Sequence, residues 1–268
     1  MMLGFKGPIF SPQGACASSN HSIGIGARMI RDGDCDFAIV GGADMPILPE
    51  IIHGFDNMNA TIKVRKKDRA VDDISQASRP FSVDRKGFVL SEGAGALILA
   101  SEDVISTHGL KPKAEVLGIG WTSDAYHFTT PCSDTIIRCI NEAIEDAEIC
   151  TNDIQYINSH GTSTSLGDKT EVECLRSVFG KNIGNIPVSA NKSQIGHTLA
   201  GCAAIEAALT IEGMQKSTIL PTINHIPDPD FEDIDVVPNT ARSQKYELAL
   251  SNAFGFGGTN CCVILKGV

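Results

Sequence analysis

One cysteine and two histidines stand where a folded chain would expose them. Cys16 lies in PIFSPQGACASSN, residues 8–20, where a short strand-like apolar run meets a small-residue turn and a helical pattern begins. That pattern runs through Arg31 and stops at Gly33, a residue suited to a helix C-terminus. A cysteine at a helix N-terminus feels the positive end of the dipole, which favours thiolate over thiol. The order strand, tight turn, nucleophile, helix also brings backbone N–H groups beside the sulfur. A buried, inert thiol is the competing reading of such a cysteine. His160 closes the run IQYINSH and His197 follows NKSQIG, each at the carboxyl end of an expected strand, where open α/β sheets gather catalytic groups. His197 is read as opening a helix, so its imidazole is expected neutral and able to donate N–H to a carbonyl. Lys192 lies in the loop before it, aimed at the same edge, with a solvated lysine as the competing reading. Gly255 to Gly258, reading GFGG, joins the last two strands with a turn that lets the backbone approach a bound group. Together these groups suggest thioester chemistry with an oxyanion hole.

The elements that must position them alternate between strand and helix. An apolar run at 36–40 reads as a buried parallel strand, followed by a glycine turn and a helix opened by Pro46 and reaching Asn57. Residues 59–80 read as a long exposed loop crowded with Lys63, Arg65, Lys66, Lys67 and Arg69. A glycine-dense segment at 87–100 passes into a buried strand and matches neither a P-loop nor a dinucleotide fingerprint. From Lys113 a second block begins, with strands at 114–121, 154–158, 186–190, 247–252 and 260–266 and helices at 133–148, 167–179 and 197–215. The alternation predicts an α/β fold with a largely parallel sheet.

Composition narrows the function classes. A chain of 268 residues with formal net charge −10 is poorly suited to broad nucleic-acid binding. Its nine cysteines form no CxxC pair and share no ligand spacing with histidine, so reduced cytoplasmic thiols and no metal are expected. No apolar run approaches the roughly 20 residues of a membrane span.

Four ordered stretches carry a resemblance: GACASSNHSIG around Cys16, NSHGTSTSLGD around His160, NKSQIGH at 191–197 and SNAFGFGGTN at 251–260. The chain resembles the β-ketoacyl synthase family, most closely the condensing enzymes that elongate acyl chains on acyl carrier protein. The resemblance implies a thiolase-like fold of two similar α/β halves, here 1–112, an incomplete half carrying the nucleophile, and 113–268. It implies that Cys16 accepts the acyl group, and that His160 and His197 donate N–H to the enolate formed as malonyl-carrier loses carbon dioxide. Backbone N–H groups of Cys16 and Phe256 would form the oxyanion hole, with Phe256 also a gate. Lys192 and Glu206 would be a supporting pair, and Thr162 and Thr164 would hold the pantetheine arm. No cofactor is implied, since substrates ride on the phosphopantetheine of the carrier, and the complete enzyme would be a homodimer. Starter-type synthases resemble Cys-His-Asn at these positions and thiolases Cys-His-Cys, so His197 favours the elongating type.

The resemblance also implies family strands 1 and 2 ahead of this chain, with Gly7 to Gln13 similar to strand 3 of that half. Residues 1–268 alone are therefore expected to be poorly soluble, or active only with a complementary polypeptide. A truncated, inactive synthase-like paralogue that binds carrier or synthase is the alternative from another functional class. The basic loop would face the acidic carrier. Exchanging Lys63, Arg65, Lys66 and Lys67 for Glu is expected to raise KM for carrier substrates at low salt; an unaltered KM would refute docking there.

Overall fold

The computed structural model describes residues 4–63 and 73–268. Small and apolar residues at helical spacing after Cys16 give α1 (Ser18–Arg31), which buries Ile23, Gly24, Gly26 and Ala27. It ends as the sequence predicts, with Gly33 at φ +77° just beyond it. A Cβ on Gly26 would lie 2.3 Å from Val40, so the bare glycine lets α1 sit directly on β1 (Phe37–Asp44).

The expected glycine turn at 41–43 is instead the continuation of β1, which pairs antiparallel along its whole length with β2 (Gly93–Ala100). Neither strand is a buried parallel one. One face of this two-stranded sheet packs inward, while the cross-strand pair Ile39 and Ile98 points outward, Ile98 being 67% exposed. The intervening α2 (Pro49–Asn57) begins three residues later than the Pro46 expectation, with Pro49 at its first position. The helix α3 (Glu102–His108) is capped by Ser101, whose hydroxyl accepts the Val104 N–H.

The second block contains β3 (Ala114–Ser123), α4 (Ser133–Asp146), β4 (Tyr156–Asn158), α5 (Ser165–Phe179), β5 (Val188–Ser189) and α6 (Lys192–Ile195). It continues with α7 (Cys202–Lys216), a short ladder of β6 (Thr218–Ile219) with β7 (Arg242–Ser243), β8 (Leu248–Gly255) and β9 (Thr259–Gly267). Its sheet runs β3-β9-β8-β4-β5. Only β8, β4 and β5 are parallel; β9 is antiparallel to both neighbours. The sheet is mixed because the tight turn after Gly255 forces β8 and β9 into a hairpin, whereas helical crossovers permit the parallel pairs.

Helices α4 and α5 cover one face, burying Ile140, Ile157, Leu175 and Leu250. The other face packs against α1 and α7, whose opposite sides meet β1 and β2. Two helices thus lie between two sheets.

Two further expectations change. Gly7 to Gln13 is not a strand: it has no ladder partner among the described residues, and Ile9 is 96% exposed. The 59–80 segment is not exposed throughout, since Ala77, Ser78 and Arg79 are buried along with Phe81 just beyond. Their backbone is tied down, with Arg79 N–H on Ser163 Oγ at 3.1 Å and Phe81 N–H on Asp168 Oδ2 at 2.8 Å. Among the described residues no helix is long and apolar enough to cross a membrane.

Filling the α1–β1 contact should be costly. Gly26→Val is expected to destabilise the chain by about 1–3 kcal/mol, the usual cost of overpacking, read as a lowered urea midpoint with an unchanged slope.

Candidate active site

Cys16 sits in a single 3₁₀ turn, Ala15–Ala17, that feeds α1. The turn is sharp: Ala15 has φ +47°, a conformation rare for a residue with a Cβ. Both sides hold it in place. Ser18 Oγ accepts the Gly14 N–H at 3.0 Å and donates to Ala15 O at 2.7 Å. From β9, Thr259 Oγ1 donates to Gly14 O at 2.7 Å. The thiol is 7% exposed. Burial pushes it up to about 11, against Lys192 and the backbone N–H groups of Phe256 and Cys16, which favour the anion. The dipole-driven thiolate expected from sequence is therefore corrected: desolvation wins and the resting group is a thiol.

His160 follows β4. Its backbone N–H and that of Gly161 each donate to the Glu171 carboxylate at 2.8 Å, and Asn252 Nδ2 adds a third bond at 3.1 Å. Glu171 projects inward from α5 and fixes where the His160 main chain lies. The His160 ring meets His197 edge-on at 5.6 Å between centroids.

His197 does not open a helix. It lies between α6 and α7, tied by its N–H to Val89 O at 2.7 Å and by its C=O to Ser91 N–H at 3.1 Å. Its Nδ1 accepts the Leu199 N–H at 3.3 Å, which assigns the neutral ring's proton to Nε2. Both imidazoles are held well below the ordinary histidine value, first by burial and then by the Lys192 charge, with His197 adding to the effect on His160. Neutrality thus arises from burial and a neighbouring cation rather than from a helix dipole.

Lys192 is no solvated lysine. It is 1% exposed at the start of α6 and pairs through Nζ with Glu206 Oε1 of α7 at 2.8 Å. Burial alone would lower it, but the Glu206 carboxylate at hydrogen-bond distance opposes that, so the ammonium stays charged. Cys202 itself, pushed up to about 12 chiefly by burial, is a thiol.

Cys16, His160, His197 and Phe256 line one cavity of about 340 Å³, together with Thr162 and Thr164. The Phe256 ring lies between Phe55 of α2 and Phe128, 6.3 Å from each. Thr162 and Thr164 share a hydroxyl bond of 3.0 Å, and Thr164 also caps α5 by accepting the Gly167 N–H. Lys192 and Glu206 stand behind this cavity rather than on its wall. Lys63 is half-buried and committed to Asp56 at 2.5 Å. Arg65, Lys66 and Lys67 lie outside the described residues.

Sequence reasoning missed Glu171, Asn252 and Asp168. Asp168 is fully buried and accepts the Phe81 and Ser163 N–H groups at 2.8 and 3.0 Å. Burial pushes its carboxyl up to about 7, against Phe81 N–H and Arg85. The available signal was the spacing of Asp168 and Glu171, which share one face of α5 with the buried Val172 and Leu175.

The sequence model described as beta-ketoacyl synthase, N-terminal domain, matches residues 1–104, and that described as beta-ketoacyl synthase, C-terminal domain, matches residues 113–225. The chain belongs to the β-ketoacyl synthase family. It is 39% identical over 267 residues to 3-oxoacyl-[acyl-carrier-protein] synthase 2 of Staphylococcus aureus, covering 98% of this chain and 64% of that protein. It is 35% identical over 269 residues to nodulation protein E of Rhizobium meliloti, covering 100% of this chain and 64% of that protein. A solved β-ketoacyl synthase from Burkholderia phymatum STM815 superposes with TM-score 0.90 at 35% identity, covering 98% of this chain and 62% of the other. A type II polyketide acyl-carrier protein in complex with its ketosynthase gives TM-score 0.90 at 34% identity, covering 95% and 62%. The fold of this β-ketoacyl synthase chain is therefore thiolase-like α/β, and the chain spans about 64% of the length of the S. aureus relative.

The buried thiol gives a pH prediction. Alkylation of Cys16 by iodoacetamide, followed by mass, should climb about tenfold per pH unit through neutrality and level only near 11. A plateau below pH 8 would contradict the thiol assignment.

Proposed function

We propose that this chain carries the machinery for decarboxylative Claisen condensation, joining an acyl group held on Cys16 to malonyl-acyl carrier protein in fatty acid or polyketide-like synthesis. The observation that supports this best is the meeting of one thiol and two neutral imidazoles in a single cavity, with the Phe256 and Cys16 N–H groups on the sulfur. The likeness to the S. aureus synthase and to a ketosynthase in complex with its acyl-carrier protein supports the same reading.

In the first half-reaction the Cys16 sulfur attacks the carrier thioester. The tetrahedral oxyanion takes hydrogen bonds from the Cys16 and Phe256 N–H groups. Its collapse forms the Cys16 acyl thioester and breaks the carrier C–S bond, and the thiol proton leaves with the carrier sulfur. Malonyl-carrier then enters, with Thr162 and Thr164 hydrogen-bonding its pantetheine arm. As its carboxylate departs as carbon dioxide, the C–C electron pair becomes an enolate whose oxygen accepts N–H from His160 and from His197 Nε2. The enolate carbon attacks the acyl carbonyl in the same oxyanion hole. That attack forms the new C–C bond; collapse of the oxyanion re-forms the carbonyl and breaks the Cys16 C–S bond, and the Cys16 thiolate takes a proton from solvent.

Lys192 and Glu206 act from behind: the ammonium adds to burial in keeping both imidazoles unprotonated, so each retains one N–H to give and gains no charge. Phe256, between Phe55 and Phe128, gates the cavity. Residues 1–112 and 113–268 form the two halves, acyl carrier protein is the partner, the complete enzyme is a cytoplasmic homodimer, and no cofactor beyond the carrier's phosphopantetheine takes part.

Incubating the purified chain with an acyl-carrier donor should add one acyl mass to the parent and none to Cys16→Ser, and malonyl-carrier should then remove it as β-ketoacyl-carrier. A folded chain that takes no adduct would overturn the reading in favour of the inactive paralogue.

A further inference from the structure

The mouth of the cavity carries a cation that the condensation does not use. Lys86 lines the pocket beside Ser165 and Thr164, is exposed, and makes no ion pair or hydrogen bond among the described residues. Its neighbourhood is not short of acid, yet each nearby carboxylate is taken. Asp84 pairs with Arg79 at 2.6 Å, and Asp228 pairs with Arg85 at 2.6 Å. Asp124, the one acidic residue on the pocket wall among the described residues, accepts from the Cys132 N–H at 3.1 Å and from Asn260 Nδ2 at 2.7 Å. Lys86 is thus a cation on the wall of the reactive cavity with no ion-pair partner among the described residues, in a chain of net charge −10.

The main chain that carries it is fixed in place. Gly87 N–H donates to Ser163 O at 2.8 Å, tying the Lys86 main chain to the turn that carries Thr162 and Thr164. Gly87 has φ +127°, and a Cβ there would lie 2.6 Å from the Thr61 carbonyl carbon, so this approach needs glycine. From the other side of Lys86, Arg85 Nη2 donates to Ser165 O at 3.3 Å.

We propose that Lys86 recognises the phosphate ester at the end of the pantetheine arm, so that the pocket selects phosphopantetheine thioesters over neutral thioesters. The inference rests on the condensing reading for the identity of the arm. Its chemistry is that of an ammonium placed to meet a phosphate monoanion or diester just outside two hydroxyls that hold the amide portion. The same phosphate occurs on a carrier-linked arm and on coenzyme A.

The test compares hexanoyl thioesters of pantetheine, 4′-phosphopantetheine and coenzyme A as acyl donors to Cys16, with rates read by intact mass. The wild-type chain is expected to favour both phosphorylated donors. Lys86→Gln should slow those two by about three- to fivefold, the worth of an exposed ion pair, and leave the pantetheine thioester unchanged. Lys86→Arg should retain the preference, and added salt should shrink it. A coenzyme A thioester faster than the phosphopantetheine thioester would assign the phosphate source to free coenzyme A; equal or slower transfer would assign it to the carrier arm. Equal slowing of all three donors by Lys86→Gln, or of none, would overturn the proposal. Should no donor acylate Cys16, the condensing reading fails separately. Lys86 is then judged by whether 4′-phosphopantetheine protects Cys16 from iodoacetamide better than pantetheine in the wild type and equally in Lys86→Gln. Equal protection in the wild type would overturn it.

Discussion

A buried ion pair sets the terms for everything around it. The Lys192 ammonium and the Glu206 carboxylate meet at 2.8 Å with almost no exposure to solvent. Removing either partner would strand a charge in the interior at a cost of about 3–5 kcal/mol. The pair needs α6 and α7 to stand at a fixed separation, and α7 in turn is clamped between the two sheets. What the pair returns is chemical. A permanent positive charge behind His160 and His197 opposes their protonation, and the same charge works toward thiolate at Cys16. Burial opposes ionisation of all three groups, so they rest uncharged while an ion pair stands behind them.

The scaffold serves this arrangement by bringing four separated stretches of chain to one place. Cys16 comes from the turn before α1, His160 from the end of β4, His197 from the link between α6 and α7, and Phe256 from the β8–β9 hairpin. Main-chain hydrogen bonds do most of the positioning. Glu171 grips the backbone at His160 and Gly161, Val89 and Ser91 grip it at His197, and Thr259 grips it at Gly14. Side chains that react are thus carried on main chain that cannot drift.

The second block was the more legible part of the sequence, because its strands and helices sit in one mixed sheet with helices on both faces and their apolar patterns report that burial directly. The first block was less so. The run at 37–44 has the apolar composition of a buried parallel strand, yet it pairs antiparallel with β2 and leaves Ile39 and Ile98 outward. Composition does not distinguish a strand whose outer face is covered from one whose outer face is open within the described chain. At the site, residue types and strand-end positions pointed to Cys16, His160 and His197. Their protonation states were only half legible: neutral imidazoles were expected for a helix-dipole reason that the structure replaces with burial and Lys192, and the thiolate expectation failed because the sequence carries no measure of desolvation. Glu171 and Asp168 escaped notice because an acidic residue within a helix reads as solvated until the facing main-chain N–H groups are seen.

The account stands most directly on the two uncharged rings. Histidine ring nitrogen chemical shifts, followed from about pH 5 to about pH 8 across the physiological switching range of imidazole, report each protonation state separately. The account predicts that His160 and His197 stay neutral throughout, with the His197 proton on Nε2. Titration of either ring near the ordinary histidine value of 6.5 would contradict it, because burial and the charge behind the cavity would then not be governing the two rings.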